Sequence, residues 1–416
     1  MEIIIVQTPP FWLKTPPLSL IYLKNYLLSK NIKVTTIDLN FIFFKLLKFT
    51  KTQWLNLDRE FEKNLFLIAK KNFPFIFENF YKKIKNIEFI GFSILKRNMP
   101  FALKLANEIK MLYPTKKIIF GGPQTLFLDL QNKLIDDYFW VIGEGENPLY
   151  KILTESNQKI YKFNEIKELD TLPFLNFQPL LPQNYSMSIP LFSSRGCLYN
   201  CHFCSEKLLY KKMRYHSPKY VVDLIKHLKN EYSIPNFIFC DSLFNFSREW
   251  LENFCLLLLK NNIKINWEAQ MRIEKNFPLY LAKLIKKSGC YNVFVGMESG
   301  SNKVLSLMDK GFTTEDAINF FKIFKKAGLH FEISLIFGYP NETEKDFMES
   351  IEFIVKNKKI IPKIAQANLF VDYFNTQDIA NPPKNLKNRL EIFLKTIQSE
   401  KIKYTKSYIG NLHYKN

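Results

Sequence analysis

The 416-residue sequence is short of arginine: it has seven, within a combined lysine and arginine count of 59 and a formal charge of +20. Arginine is the preferred residue for bidentate contacts to bases and phosphates. A basic balance carried almost wholly by lysine therefore argues against nucleic acid as the partner and leaves an anionic surface or an acidic substrate. The six cysteines are too few for a disulfide scaffold, and their clustering fits a reducing cytoplasm. No run approaches the ~18 apolar residues of a membrane-crossing helix. The opening Met1-Glu2-Ile3-Ile4-Ile5-Val6-Gln7 reads as a short apolar strand and not as a basic leader. No internal repeat is apparent, and the five histidines show no metal spacing.

The length is enough for two or three domains, and 47% hydrophobic with 24% charged residues is ordinary globular composition. Over residues 1–160, apolar strand runs at 2–7, 32–38, 89–93, 117–120 and 138–142 alternate with helical patterns, which argues a doubly wound parallel sheet. Such sheets bind ligands beyond the carboxyl ends of their strands. The turns Gly91-Phe92-Ser93, Gly121-Gly122-Pro123 and Gly143-Glu144-Gly145-Glu146 fall there, where glycine admits close approach of a bulky ligand. Residues 161–188, rich in proline and without period, read as a linker. Phe41 to Phe49 could touch a membrane surface or form a helix packed on the core with its lysines outward.

The densest chemistry lies at Cys197-Leu198-Tyr199-Asn200-Cys201-His202-Phe203-Cys204. Three thiolates spaced C-x3-C-x2-C can hold three irons of a cubane cluster. A closed cluster takes four cysteines, so a missing fourth leaves one iron open, as catalytic metal sites keep an open position. Zinc is the competing reading, with His202 or His216 as fourth ligand. Cys240, Cys255 and Cys290 read as buried inert thiols, with the alternative that one serves the substrate or forms a hidden fourth ligand.

The cysteine string resembles that of the radical S-adenosylmethionine (SAM) superfamily, in which a 4Fe–4S cluster binds SAM at the open iron. The resemblance implies that an electron from the cluster cleaves SAM to methionine and a 5′-deoxyadenosyl radical. It also implies a partial (β/α)6 barrel over residues 189–375, for which six strand patterns are present, with a helical tail over 376–416. Further strings support it. Phe239-Cys240-Asp241-Ser242-Leu243-Phe244 resembles the end of the second barrel strand, Trp267 to Arg272 the third, Gly296-Met297-Glu298-Ser299-Gly300-Ser301 with Leu305, Met308 and Lys310-Gly311 the fourth, and Phe337-Gly338-Tyr339-Pro340 the fifth. By this resemblance Cys197, Cys201 and Cys204 hold the cluster. Phe203, Asp241, Arg272, Glu298, Ser299 and Gly338 bind SAM, with Arg272 clamping the SAM carboxylate and Glu298 and Ser299 bonding its ribose hydroxyls or amino group.

The first domain resembles the Rossmann-like cobalamin-binding domain of a large radical SAM class. Its candidate cobalamin residues are Thr8, Pro9, Ser93, Gly121, Gly122, Gly143, Glu144 and Glu146. Many cobalamin domains supply a histidine to cobalt from a D-x-H-x-x-G loop; no histidine precedes His202 here, so the lower face of a bound cobalamin would be open or met by another group. The expected activity is cobalamin-dependent methylation of an unactivated carbon. The alternatives are a cobalamin-binding cyclase or rearrangement enzyme, and a non-catalytic cobalamin or redox sensor. The expected partners are a small-molecule, lipid or peptide substrate and an external electron donor of flavodoxin or ferredoxin type, with peripheral membrane contact kept open and a cytoplasmic location.

Overall fold

The first six strands are β1 (Glu2–Gln7), β2 (Lys33–Asp38), β3 (Phe89–Ser93), β4 (Lys117–Gly121), β5 (Phe139–Ile142) and β6 (Ile160–Lys162). They form one parallel sheet in the order β2-β1-β3-β4-β5-β6. These strands come from a computed structural model that describes residues 1–371 and 386–405. The runs Ile3–Val6 and Phe139–Ile142 are buried on both faces, which is why they read as continuous apolar stretches and not as alternation. The sheet is doubly wound, as expected, but its order is the flavodoxin-like 2-1-3-4-5 and not the 3-2-1-4-5-6 of a dinucleotide-binding Rossmann fold. The order reverses between β1 and β3, so the crevice at the carboxyl ends of those two strands is the natural ligand position.

Between β2 and β3 the chain forms four helices, Leu39–Leu46, Lys51–Leu55, Arg59–Asn72 and Pro74–Ile84. Asp38, Thr50 and Asp58 each accept a backbone N–H as N-caps, satisfying donors that a helix start leaves free. Phe43, fully buried, meets Phe73, Phe77 and Phe101 with ring centroids 6.4, 5.6 and 5.7 Å away. The aromatic stretch around Phe41 to Phe49 thus packs inward: Phe43 and Phe44 are buried in the core. Lys45 lies 5.3 Å from the Phe41 ring centroid.

The division between the two compact units falls at Pro190/Leu191, with Leu208–Lys211 grouped with the first. The stretch expected as an extended linker belongs to the first unit. Its start is strand β6, and the rest is pinned by polar groups: Lys24 Nζ and Asn25 Nδ2 both donate to Asn176 O at 3.0 Å, and Tyr185 OH donates to buried Asp38 at 2.5 Å. Proline density removed periodicity without removing tertiary contacts.

The second sheet consists of β7 (Ile189–Leu191), β10 (Asn236–Phe239), β11 (Asn266–Met271), β12 (Cys290–Glu298), β13 (Phe331–Phe337) and β14 (Ile364–Leu369), ordered β14-β13-β12-β11-β10-β7. The pairs from β10 to β14 are parallel. Strands β7 and β14 are edges, so this is an open six-stranded partial barrel with helices between strands. A two-residue antiparallel pair, β8 (Ser194–Arg195) with β9 (Arg214–Tyr215), brackets the cysteine loop. The helix Leu386–Ser399 lies within the stretch expected as a helical tail. Residues 372–385 and 406–416 lie outside the described residues. Among the described residues, no helix is long and apolar enough to cross a membrane.

Candidate active site

The cysteine loop leaves β7 through Ser193 and Ser194, and Asp241 at the end of β10 anchors both. Its carboxylate accepts from Ser193 N at 3.0 Å, Ser193 Oγ at 2.7 Å and Ser194 Oγ at 2.6 Å. Burial raises its pKa to about 6, against those hydrogen bonds, which lower it. Gly196 at φ +86° takes the left-handed turn into the loop, a conformation costly for other residues. Cys204 N donates to Cys201 O at 3.0 Å, and His202 N donates to Met308 O at 3.1 Å.

Cys197, Cys201 and Cys204 are free thiols and all three line one cavity of about 550 Å³. Burial raises the Cys197 thiol and pushes Cys204 up to about 11, so unaided they resist ionising; bound iron would reverse this by deprotonating them outright. The competing zinc reading loses the histidines offered as its fourth ligand. His202 Nδ1 faces Leu307 O at 2.9 Å, and buried His216 stacks on Tyr220 at 4.2 Å; neither lines the cavity. Among the described residues no three His, Cys, Asp or Glu side chains converge as a single-ion site. The three loop thiols share the cavity wall with Cys240 and Glu206; the loop alone supplies three donors, which fits a cluster with one position left for another ligand.

Opposite the cysteines, the end of β12 presents Glu298. A register shift in the β12/β13 pairing between Gly296 and Glu298 and φ +69° at Glu298 turn its carboxylate into the cavity. Lys310 Nζ donates to Oε1 at 3.3 Å and Ser334 Oγ to Oε2 at 2.9 Å. Lys310 is buried and lies 5.6 Å from the Phe203 and 5.5 Å from the Phe312 ring centroid. Arg272, at the end of β11, donates from Nη1 to Cys201 Sγ at 3.1 Å and lies 3.8 Å from the Tyr199 ring centroid.

Of the residues expected to bind SAM, Phe203, Asp241, Arg272 and Glu298 border the cavity with the three cysteines. Ser299 and Gly338 do not. Ser299 Oγ bonds Ser350 Oγ at 3.1 Å and accepts from Ser301 N at 3.1 Å. Gly338, at φ +78°, donates to Glu342 and has Leu386 where a side chain would start. Ser334, Gln366 and Asn368 line the cavity without having been singled out by sequence; Lys310, quoted there only as part of the fourth-strand motif, lines it too. Asn368 Oδ1 is buried with no partner. The missed signal was alternation: Gln366 and Asn368, two apart in the strand Ile-Ala-Gln-Ala-Asn-Leu, place polar groups on one face.

In the first unit, Thr8, Ser93, Gly121 and Gly143 follow or end β1, β3, β4 and β5. Thr8 Oγ1 donates to Asn98 O at 3.4 Å, and Ser93 Oγ bonds Ser19 Oγ at 3.3 Å. The Pro9–Pro10 peptide is cis. Gly122 is required by the fold itself: at φ +100°, its added Cβ would meet Ile94 O at 2.7 Å. Glu144 is buried and accepts from Ile166 N at 3.0 Å; Glu146, also buried, opens the helix Glu146–Thr154. At the carboxyl end of β1, beside the β1/β3 crevice, Gln7 Oε1 is buried without a partner, an acceptor available to an amide-bearing ligand.

Residues 191–354 match the Radical SAM superfamily, and the cysteine cavity lies within that unit. The matched stretch makes up most of the second unit. Among curated proteins, the uncharacterized methyltransferase PH0819 of Pyrococcus horikoshii is 29% identical over 331 residues, 72% of this chain and 71% of that protein. An anaerobic magnesium-protoporphyrin IX monomethyl ester cyclase of Rubrivivax gelatinosus is 30% identical over 176 residues, 41% of this chain and 31% of that one. Among solved structures, OxsB, a cobalamin-dependent SAM radical enzyme with aqua-cobalamin and SAM bound, superposes with a TM-score of 0.66 at 18% identity, covering 96% of this chain. The chain spans 55% of OxsB's length. The fold is thus that of the cobalamin-dependent radical SAM proteins.

Proposed function

We propose that this chain is a radical SAM enzyme that methylates an unactivated carbon with the help of cobalamin. The carrying observation is the single cavity in which three unpaired cysteines face Glu298 and Lys310. When bound, the cluster and SAM supply a 5′-deoxyadenosyl radical, and cobalamin supplies the methyl group; cofactors carry that chemistry and the protein supplies placement. Cys197, Cys201 and Cys204 hold the cluster and leave one iron for SAM. Glu298, its carboxylate fixed by Lys310 and Ser334, would accept from the SAM amino group, and Lys310 would serve the SAM carboxylate. Asn368 Oδ1 offers a buried acceptor to a bound N–H or O–H. The enclosing Phe203, Phe294 and Phe370 exclude water from a reactive radical. In the first unit, unsatisfied Gln7 Oε1 at the strand-order reversal supports a corrinoid, whose amide side chains would donate to it, and OxsB binds cobalamin on the same fold.

The likeness to the protoporphyrin ester cyclase favours ring formation as the second reading. Anaerobic reconstitution with iron, sulfide and hydroxocobalamin, followed by desalting and metal analysis, tests the first. About four irons and one retained cobalt per chain support it; four irons without cobalt refute the cobalamin part. Product mass then separates the two readings: gain of one methylene supports methylation, and loss of two hydrogens supports cyclisation.

A further inference from the structure

Two cations face the cavity, and they are placed differently. Lys310 is paired with Glu298. Arg272 pairs with no carboxylate among the described residues; its guanidinium donates to Cys201 Sγ. It is held there from both ends. Its backbone N–H donates to Asn245 Oδ1 at 2.9 Å and its carbonyl accepts from Asn245 Nδ2 at 2.9 Å, while the guanidinium lies over the Tyr199 ring. Both Cys201 and Arg272 are buried, at 7% and 9% exposure, so water screens the charge little.

We infer that Arg272 is a positioning residue that acts through the Cys201 thiolate to raise the reduction potential of the cluster. This rests on the cluster reading proposed above. Hydrogen bonds to cluster sulfurs and the local net charge set such potentials. Reduction adds one electron, taken from an external one-electron donor of ferredoxin type, with no bond formed or broken. The reduced cluster is the more negative, so an N–H donor carrying a fixed positive charge at a ligand sulfur stabilises it more than the oxidised one. Tyr199 gives the guanidinium a flat surface, an arrangement arginine exploits and lysine does not.

The test is a mediated reductive titration, without SAM, of the anaerobically reconstituted wild type, Arg272→Met and Arg272→Lys, followed by electron paramagnetic resonance. Arg272→Met is expected to lower the reduced fraction at fixed poise at least tenfold, a shift of about 59 mV for a one-electron couple. Arg272→Lys, which keeps the charge but not the stacked fork, is expected to fall between the two. A midpoint in Arg272→Met equal to wild type, with weakened SAM binding, overturns the inference in favour of a clamp on the SAM carboxylate. If Arg272→Met assembles no cluster, Arg272→Lys decides by the same titration, and loss of the cluster in both overturns it in favour of a structural role. Failure of the wild type to assemble any cluster overturns the cluster reading itself, an outcome distinct from an unchanged potential.

Discussion

Replacing Gly296 by alanine probes how the site holds Glu298. A Cβ added at Gly296 would lie 2.6 Å from Glu298 Oε1 and 3.5 Å from Lys310 Nζ. The first contact is too short to survive, and Gly296 itself is not in the left-handed region, so the carboxylate must move. Oε1 already sits 3.3 Å from Lys310 Nζ, near the limit of a hydrogen bond; displacement by a few tenths of an ångström breaks it. The displaced carboxylate would also lose its hydrogen bond to a SAM amino group, and one hydrogen bond to a charged group is worth about 1.5–3 kcal/mol, equivalent to roughly 10- to 100-fold in affinity. The expected result is SAM binding weakened by that factor in the reconstituted protein, measured by equilibrium dialysis, with iron content unchanged. Folding stability should fall by about 0.5–2.5 kcal/mol, the lost Lys310 bond being partly offset because alanine lowers the entropy of the unfolded chain. SAM affinity within twofold of wild type, with the cluster intact, would refute the assignment of Glu298 to SAM.

Other expectations follow from the same geometry. Cys201→Ala should abolish cluster assembly and SAM cleavage; cleavage by a variant shown to lack iron would sink the cluster assignment. Asp241 has a folded pKa of about 6 against an unfolded value near 3.9, so the folded state holds its proton more tightly and the stability it contributes falls as pH rises between those values. Urea unfolding of wild type and Asp241→Asn should therefore converge or cross by about 2 kcal/mol from pH 4.5 to 6.5; parallel curves would contradict the buried-acid argument. Phe43→Ala should cost about 3–5 kcal/mol of stability in urea titration, whereas a Phe43 ring directed at a membrane would make that loss small.

The chemistry of this protein is written locally, and what depends on local spacing was legible. Three cysteines within eight residues define a ligand set whatever surrounds them, and alternating strand and helix patterns define two parallel α/β layers because each element must bury an apolar face. Glu298 was legible because its motif is continuous along the end of β12. The groups that meet across the cavity were not. Ser334 comes from β13 and Asn368 from β14, and only closure of the strands into a curved sheet brings them to the cysteine loop and to Lys310. The same holds for Arg272: its type and position at a strand end were readable, but its choice of Cys201 Sγ as acceptor follows from the Asn245 clasp and the Tyr199 ring, both distant in sequence. Strand order, with its reversal between β1 and β3, and the packing of residues 161–188 onto the first unit were likewise decided by tertiary structure. Periodicity records which faces are buried and carries no information about which buried faces meet.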